Sequence, residues 1–214
     1  MIYLEEKLNL IPASPETLDV FIKFAQEKLV PICERLGPRL VAAWYSDVEW
    51  FSQVTHIMEF NDMEELKSFR MKTSQDPAWG EYMARLEEIA PERRTRLLEP
   101  LEPVLPKILH KAIRRSQRKA FGVYSLATLE VAPNKMPEFL TALEQASKGF
   151  PIIASWRPVA GSPNEVIDLW KSALRQEAYQ PADDILKDFF RQLRQLAPKE
   201  RLINIYTLPY SQLR

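Results

Sequence analysis

The chain has 214 residues, of which 46% are hydrophobic, 27% charged and 10% aromatic, a composition that excludes a disordered or fibrous protein. Its 29 basic and 29 acidic residues balance, which argues against a protein that coats nucleic acid along its whole surface. The single cysteine, Cys33, excludes an intrachain disulfide and favours a reducing compartment. An acidic N-terminus and the lack of a long apolar run argue against a signal peptide and a membrane span, so we expect a cytoplasmic protein.

Hydrophobic spacing in the first hundred residues predicts the order β-α-β-β-α-β. The predicted strands are at residues 2–10, 40–45, 53–60 and 94–98. One helix is expected after Pro15 and another after the cap Asn61–Asp62, and we expect Pro31 and Pro77 to interrupt them. This order is the ferredoxin-like unit, a sheet with helices on one face, so residues 1–100 are predicted to form a first domain.

Residues 101–120 are predicted to connect this domain to a second one. Three prolines between residues 100 and 106 oppose regular structure, and a basic helix is expected over 107–119. Its cations share one broad face, opposite an apolar face. One interpretation is a site for an anionic partner, a phosphate-bearing ligand or a membrane surface. The other is a bridge docked by its apolar side, with the acidic first domain (12 basic and 18 acidic residues in 1–100) as its electrostatic partner.

From residue 121 the pattern starts again. Val41–Trp44 aligns with Ile153–Trp156 at a shift of 112 residues, and the same shift places His56–Met58 on Asp168–Trp170. Ordered matches of this kind predict a tandem duplication, with residues 121–214 as a second, shorter ferredoxin-like domain.

Three segments of the chain resemble one known family. Residues 124–140 form a predicted strand, turn and helix start, residues 53–60 a strand with a histidine, and residues 76–79 an Asp-Pro-x-Trp helix start. They resemble the NIPSNAP family of the dimeric α/β-barrel superfamily. The chain departs from that family in having Glu6 and Ala127 where an arginine is common on strand one.

The resemblance implies an α+β fold in which two four-stranded sheets pack face to face. These sheets usually come from two subunits, but a tandem chain could supply both. We therefore expect two ferredoxin-like repeats in a dimeric-α/β-barrel-type arrangement within one chain. The alternative is that each repeat pairs with a second chain in a homo-oligomer.

The candidate catalytic residues are His56 and Asp168, which occupy equivalent positions on the third strand of each repeat. In the superfamily the face away from the helices lines the space between the sheets, so we expect both side chains to face that space. His56 would be a general base and Asp168 its orienting carboxylate, as in proton abstraction from a carbonyl compound. The alternative is a structural role for both. The predicted substrate-binding residues are Trp44, Tyr45, Met58, Phe60, Trp156 and Trp170.

These observations predict a protein that holds a small, largely apolar molecule between its sheets, as a metal-free biosynthetic isomerase or a cofactor-independent oxygenase. The alternative is a non-catalytic binding or scaffold protein whose basic helix takes a partner. His56, His110 and Cys33 are not clustered, so we predict no metal and no cofactor. Some members of the superfamily hold haem through one histidine, for which His56 is the only candidate. No nucleic-acid partner is predicted, and a membrane surface is disfavoured.

Overall fold

The computed structural model describes residues 1–118, 122–149, 151–171 and 184–214. Its strands are β1 Ile2–Asn9, β2 Arg39–Ser46, β3 Gln53–Phe60, β4 Glu92–Pro100, β5 Val123–Glu130, β6 Ile152–Pro158, β7 Glu165–Trp170 and β8 Lys199–Thr207. Its helices are α1 Thr17–Phe24, α2 Val30–Leu36, α3 Met63–Thr73, α4 Pro77–Ile89, α5 Pro106–Ser116, α6 Met136–Gly149 and α7 Asp184–Leu196, with a π-helical turn Ala25–Leu29 between α1 and α2.

Hydrogen bonds connect the strands in the closed order β1-β3-β2-β8-β5-β7-β6-β4, which is an eight-stranded antiparallel barrel. The predicted α+β class is therefore confirmed. A closed sheet leaves no exposed strand edge, which removes the usual route to edge-to-edge aggregation.

The chain divides into two compact units. Unit 1 comprises Met1–Leu98, Arg115–Gly122 and Tyr206–Arg214, and unit 2 comprises Glu99–Arg114 and Val123–Ile205. These bounds differ from the predicted domains because the last nine residues lie in unit 1. The end of β8 pairs with β2 there, with Trp44 opposite Thr207 and Tyr45 opposite Tyr206.

Unit 1 has the strand order β4-β1-β3-β2, with helices α1 to α4 packed on one face of the sheet. Alternate residues of β1 and β3, such as Leu8 and Val54, join a core with Phe21, Leu29 and Leu86 of the helices. Each of these side chains is fully buried and contributes roughly 1.5–3 kcal/mol of hydrophobic stabilisation. The helix-covered face of this sheet therefore forms the main core of unit 1.

The predicted helix signals of unit 1 have local physical causes. Asp62 caps α3 by accepting a hydrogen bond from the Glu65 amide at 2.8 Å, while the Glu65 carboxylate accepts from the amide of Asn61, the residue before the cap. Asp76 caps α4 in the same way, with Pro77 at the first helical position. Pro31 cannot donate a backbone hydrogen bond, and the wider π-helical turn directly before α2 lets the helix continue past it.

Unit 2 has the strand order β8-β5-β7-β6. Phe139 and Leu143 of α6 pack with Val166 of β7 in its core. The pairing register shifts between Ile152 and Ala154 of β6. The pairing of β2 in unit 1 shifts between Leu40 and Ala42, 112 residues earlier.

Helix α5 follows the proline-rich segment, and its apolar side is packed. Leu109 and Ile113 are buried, whereas Lys107, Lys111 and Arg114 are exposed. An amphipathic helix therefore forms, but it ends at Ser116 rather than at the predicted residue 119, and Lys119 lies outside the described part of the chain. Among the described helices, none has both the length and the apolar character needed to cross a bilayer.

Candidate functional site

His56 lies at the centre of the unit 1 sheet, on the face that the helices cover. It shares that face with Val54, Met58 and Phe60, and its ring stacks on Phe21 of α1 with centroids 6.1 Å apart. The prediction that His56 faces away from the helices is therefore wrong. All eight residues of β3 are buried, so the alternation showed which residues share a face but not which face meets the helices.

Both ring nitrogens of His56 have a partner within unit 1. Nδ1 lies 3.3 Å from Oε2 of Glu6, which is directly opposite on β1, and Nε2 lies 2.8 Å from the hydroxyl of Tyr210. The imidazole is 0% exposed, and Glu6 is 8% exposed. Charges and hydrogen bonds in such an environment interact more strongly than in water. Glu6, His56 and Tyr210 therefore form one hydrogen-bonded chain, which we call the Glu6–His56–Tyr210 chain.

The C-terminal segment after β8 positions Tyr210. The Leu208 amide donates to the Ala43 carbonyl at 2.9 Å, and the Ala43 amide donates to the hydroxyl of Ser211 at 3.0 Å. Two bonds to the same β2 residue on either side of Tyr210 hold this segment against the sheet. The Tyr210 ring packs edge-on against His56 at 5.7 Å, which fixes its hydroxyl near Nε2.

Tyr210 also lines a cavity of about 580 Å³ between α2 and the C-terminal segment. Cys33 and Glu34 of α2 line it from one side, and Gln212 from the other. This volume is in the range of small-molecule sites. The lining mixes apolar and polar groups, so a suitable ligand would combine an apolar body with polar atoms.

Two tyrosines and a cysteine in or near this chain are held in their protonated forms. Burial, and secondly the charge of Glu6, raise the pKa of Tyr210 well above the usual 10. Burial raises the pKa of Cys33 to about 12, with smaller effects of Glu6 and Glu34. The thiol is therefore a poor nucleophile at neutral pH. Tyr82 is fully buried with a pKa raised mainly by desolvation, and its hydroxyl has no hydrogen-bond partner in the part of the chain described.

This geometry suits the transfer of a proton between Tyr210 and the buried histidine. With the ring hydrogen on Nδ1, directed at the Glu6 carboxylate, Nε2 is the acceptor and the Tyr210 hydroxyl donates to it. A molecule whose acidic group reaches the Tyr210 oxygen could then give it a proton while the tyrosine's own proton passes to Nε2. The Glu6 carboxylate would stabilise the resulting imidazolium.

Asp168 has a different environment, in unit 2. It shares a face of β7 with Val166 and Trp170, which pack in the unit 2 core, so the prediction that it faces away from the helices is also wrong. The Ser155 hydroxyl donates to its carboxylate. Burial raises the pKa of Asp168 to about 7, the Ser155 hydrogen bond lowers it, and the charge of Glu200 raises it further. The partner of His56 is thus Glu6, and that of Asp168 is Ser155.

The predicted aromatic and apolar site residues are distributed over both units. Met58 and Phe60 fill the unit 1 core, and Tyr45 stacks on Tyr206 with centroids 5.1 Å apart. Trp44 lies on the opposite face of β2 from Tyr45 and is buried. In unit 2, Trp156 is buried on β6 and Trp170 packs half-buried against the core. Of the predicted substrate-binding residues in unit 1, none lines the cavity beside Tyr210.

The surroundings of His56 do not fit a haem or metal ligand. Its Nε2 is occupied by the Tyr210 hydroxyl, its Nδ1 by Glu6, and the Phe21 ring covers one face of the imidazole. In the described ranges no three His, Cys, Asp or Glu side chains come together as a metal site. The chemistry proposed below therefore uses neither a haem nor a metal ion bound by His56.

Sequence reasoning missed two members of the Glu6–His56–Tyr210 chain. Glu6 carried a signal, since it interrupts the apolar face formed by Ile2, Leu4 and Leu8 on β1. A carboxylate at such a position needs a partner, because burying it alone is costly. Tyr210 lies 154 residues from His56 in a short C-terminal segment, and no local pattern marks it.

A second cavity, of about 490 Å³, lies at one end of the unit 1 sheet, on the face opposite to His56. Its cations are paired: Lys7 with Glu49, Arg96 with Glu5 on the neighbouring strand, and Arg94 with Glu92 on the same strand. Because its charges already neutralise one another, it offers a charged ligand no unpaired group of either sign.

Comparisons with solved structures show the fold. A candidate monooxygenase from Lactobacillus acidophilus NCFM has a TM-score of 0.62 at 15% identity, covering 96% of this chain and 93% of that chain. An anthrone oxidase-like protein has a TM-score of 0.52 at 14% identity, with coverages of 96% and 90%. A mutant chlorite dismutase from Candidatus Nitrospira defluvii has a TM-score of 0.53 at 11% identity, with coverages of 97% and 91%. At these identities the likeness is one of fold, the dimeric α/β-barrel type.

A comparison with family models finds a match in the first half of the sequence. No curated protein matches the chain. Residues 12–103 match the model of the NIPSNAP family, a range that contains both the His56 strand and the Asp76–Trp79 helix start. The resemblance stated from the sequence is therefore confirmed over residues 12–103, the greater part of unit 1.

Proposed function

We propose that this protein binds a small molecule in the cavity beside Tyr210 and moves a proton on it through the Glu6–His56–Tyr210 chain. The observation that carries this proposal is the 2.8 Å contact between Nε2 of His56 and the hydroxyl of a tyrosine that also lines the cavity. Tyr210 thus contacts the buried imidazole through its hydroxyl group and also lines a ligand-sized space. The names of the structural neighbours, two of them a candidate monooxygenase and an anthrone oxidase-like protein, are consistent with such a role.

The reaction would be that of a metal-free isomerase or a cofactor-independent oxygenase. The substrate would lose a proton from an acidic O–H or C–H group to Tyr210, as the Tyr210 proton moves to His56. An isomerase would return the proton to a different atom of the substrate. An oxygenase would let the deprotonated, electron-rich substrate react with O2 as second substrate. In both cases Glu6, rather than Asp168, takes the role of the orienting carboxylate.

Proton exchange tests this proposal without knowledge of the complete reaction. Small molecules that copurify with the protein are identified by native mass spectrometry and returned to it in D2O, and NMR follows deuterium incorporation. We expect the wild type to catalyse exchange at one acidic position. The variants Tyr210→Phe and His56→Gln should each slow it by about 100-fold or more. Tyr206→Phe, which removes an exposed tyrosine hydroxyl from the adjoining strand, is the matched control and should leave the rate unchanged.

Two results would overturn the proposal: no exchange of any bound molecule by the wild type, or equal rates in the wild type and Tyr210→Phe. Binding without exchange would support the second candidate function, a non-catalytic binding or scaffold protein. That candidate is favoured by the complete burial of His56 and the pairing of both its ring nitrogens within unit 1.

We also propose that the two units descend from two ferredoxin-like copies. In unit 1 the register places Glu6, His56 and Ala43 side by side across β1, β3 and β2. In unit 2 it places Ala127, Asp168 and Ser155 side by side across β5, β7 and β6. The register shifts of β2 and β6 also lie 112 residues apart. On this proposal the first copy has His56 as its acid–base group, and the second copy has the buried carboxyl of Asp168 at the equivalent position.

A further inference from the structure

Helix α5 carries a row of cations on its exposed face. Lys107, Lys111, Arg114 and Arg115 fall within an arc of about 100° and extend over about 12 Å of the helix axis. All four are exposed, and the buried Leu109 lies on the opposite side. The row lies outside the Glu6–His56–Tyr210 chain and has no part in the proposed proton transfer.

These four side chains have no ion pair or side-chain hydrogen bond with any residue in the described ranges of the chain. Exposed cations on α7 behave differently, since Lys187 pairs with Asp184 and Arg191 with Asp188. The sequence has no aspartate or glutamate from residue 103 to 129, so no local acidic group can neutralise the row. Like charges at this spacing destabilise a helix, and a bound anion would relieve the repulsion.

We propose that the exposed face of α5 docks a short acidic segment of a partner protein. Carboxylates match both the charge and the donor geometry of the row, because Arg114 and Arg115 can each take a carboxylate in bidentate fashion. A helical acidic segment of about eight residues would cover the whole row.

A short anion fits this surface better than an extended one. Outside residues 101–120 the chain has 23 basic and 28 acidic residues, so a nucleic acid or an anionic bilayer reaching beyond α5 would meet net repulsion. No large apolar side chain of α5, which the structure describes in full, is exposed for insertion into a bilayer. A compact acidic segment encounters neither obstacle.

Fluorescence anisotropy with a labelled octaglutamate peptide, and octaglutamine as its neutral counterpart, tests the proposal. We expect the full chain to bind octaglutamate only, with an affinity that falls steeply between about 50 and 200 mM salt. Lys111→Glu/Arg114→Glu should weaken binding by about ten-fold or more, since it turns two attractions into repulsions. The matched control Lys187→Glu/Arg191→Glu makes the same charge change on α7 and should change the affinity by less than about two-fold.

The proposal is overturned if octaglutamate does not bind, or if both double variants weaken it equally. It is also overturned if the wild type prefers oligothymidylate, or vesicles of phosphatidylcholine with about a quarter phosphatidylserine, to the acidic peptide. Circular dichroism of each variant checks that the fold is intact.

Discussion

The buried carboxyl of Asp168 gives the protein a pH-dependent stability that one substitution should remove. In the folded state its pKa is about 7, against an ordinary value of 3.8, and the largest cause is burial. Between these two values the native state holds a proton that the unfolded state has released. The free energy of unfolding therefore decreases as the pH rises from about 4 to about 7, and becomes level above that.

The size of this effect follows from the shift in pKa. A shift of about three units corresponds to a loss of about 4 kcal/mol across the interval. An asparagine side chain at this position would have nearly the shape of the protonated acid and could still accept a hydrogen bond from Ser155, but it cannot ionise. We therefore expect the free energy of unfolding of Asp168→Asn to rise relative to that of the wild type as the pH rises. Any difference in stability that is the same at every pH does not affect this comparison.

Urea unfolding followed by tryptophan fluorescence, at several values from about pH 4.5 to 8, measures this difference. Every other titrating group is common to both proteins and cancels in the comparison. Asp188→Asn is the matched control, since that carboxylate is 72% exposed and pairs with Arg191 on the surface. A difference between Asp168→Asn and the wild type that is constant with pH, to within about 0.5 kcal/mol, would refute the reasoning.

Three further substitutions test separate features of unit 1. Asp76→Ala removes the α4 cap and the ion pair with Arg35, a pair that lowers the pKa of Asp76 to about 2. Thermal midpoints measured at decreasing pH should show the stability advantage of the wild type disappear as the pH falls through about 2. The same fall in thermal midpoint in the variant as in the wild type would contradict this. Glu5→Gln leaves the half-buried Arg96 without its bidentate partner and should lower the free energy of unfolding in urea by roughly 2 kcal/mol. A loss below about 0.5 kcal/mol would contradict this. Tyr82→Phe removes a buried hydroxyl without a described partner and should leave stability unchanged or raise it by up to about 1 kcal/mol, whereas a clear loss would show that this hydroxyl is bonded in solution.

Local chemistry explains why much of the secondary structure could be predicted. The predicted strand 53–60 coincides with β3, and the Asn61–Asp62 and Asp76–Pro77 signals mark the starts of α3 and α4. Caps, proline positions and apolar spacing act over a few residues, so neighbouring sequence suffices to read them.

The candidate site depended on longer-range information. The sequence marked His56 as the one histidine on a buried strand, but its partners come from 50 residues earlier and 154 residues later. Asp168 was predicted as its partner because it aligns with His56 in the second repeat. Two residues at equivalent positions of two repeats need not be in contact. Glu6 stands where the family often has an arginine, and its carboxylate pairs with His56.

By itself, the sequence determined the α+β class, the resemblance of residues 12–103 to the NIPSNAP family, the order of the elements and the amphipathic pattern of α5. These follow from periodicity, caps and composition, which are properties of short segments. Only the tertiary structure decided which face of β3 the helices cover, because all eight residues of the strand are buried, on both of its faces. It also decided that the C-terminal segment returns to unit 1, where the bonds of Leu208 and Ser211 to Ala43 place Tyr210 against His56. Those outcomes rest on contacts between residues far apart in the chain, and no local pattern specifies them.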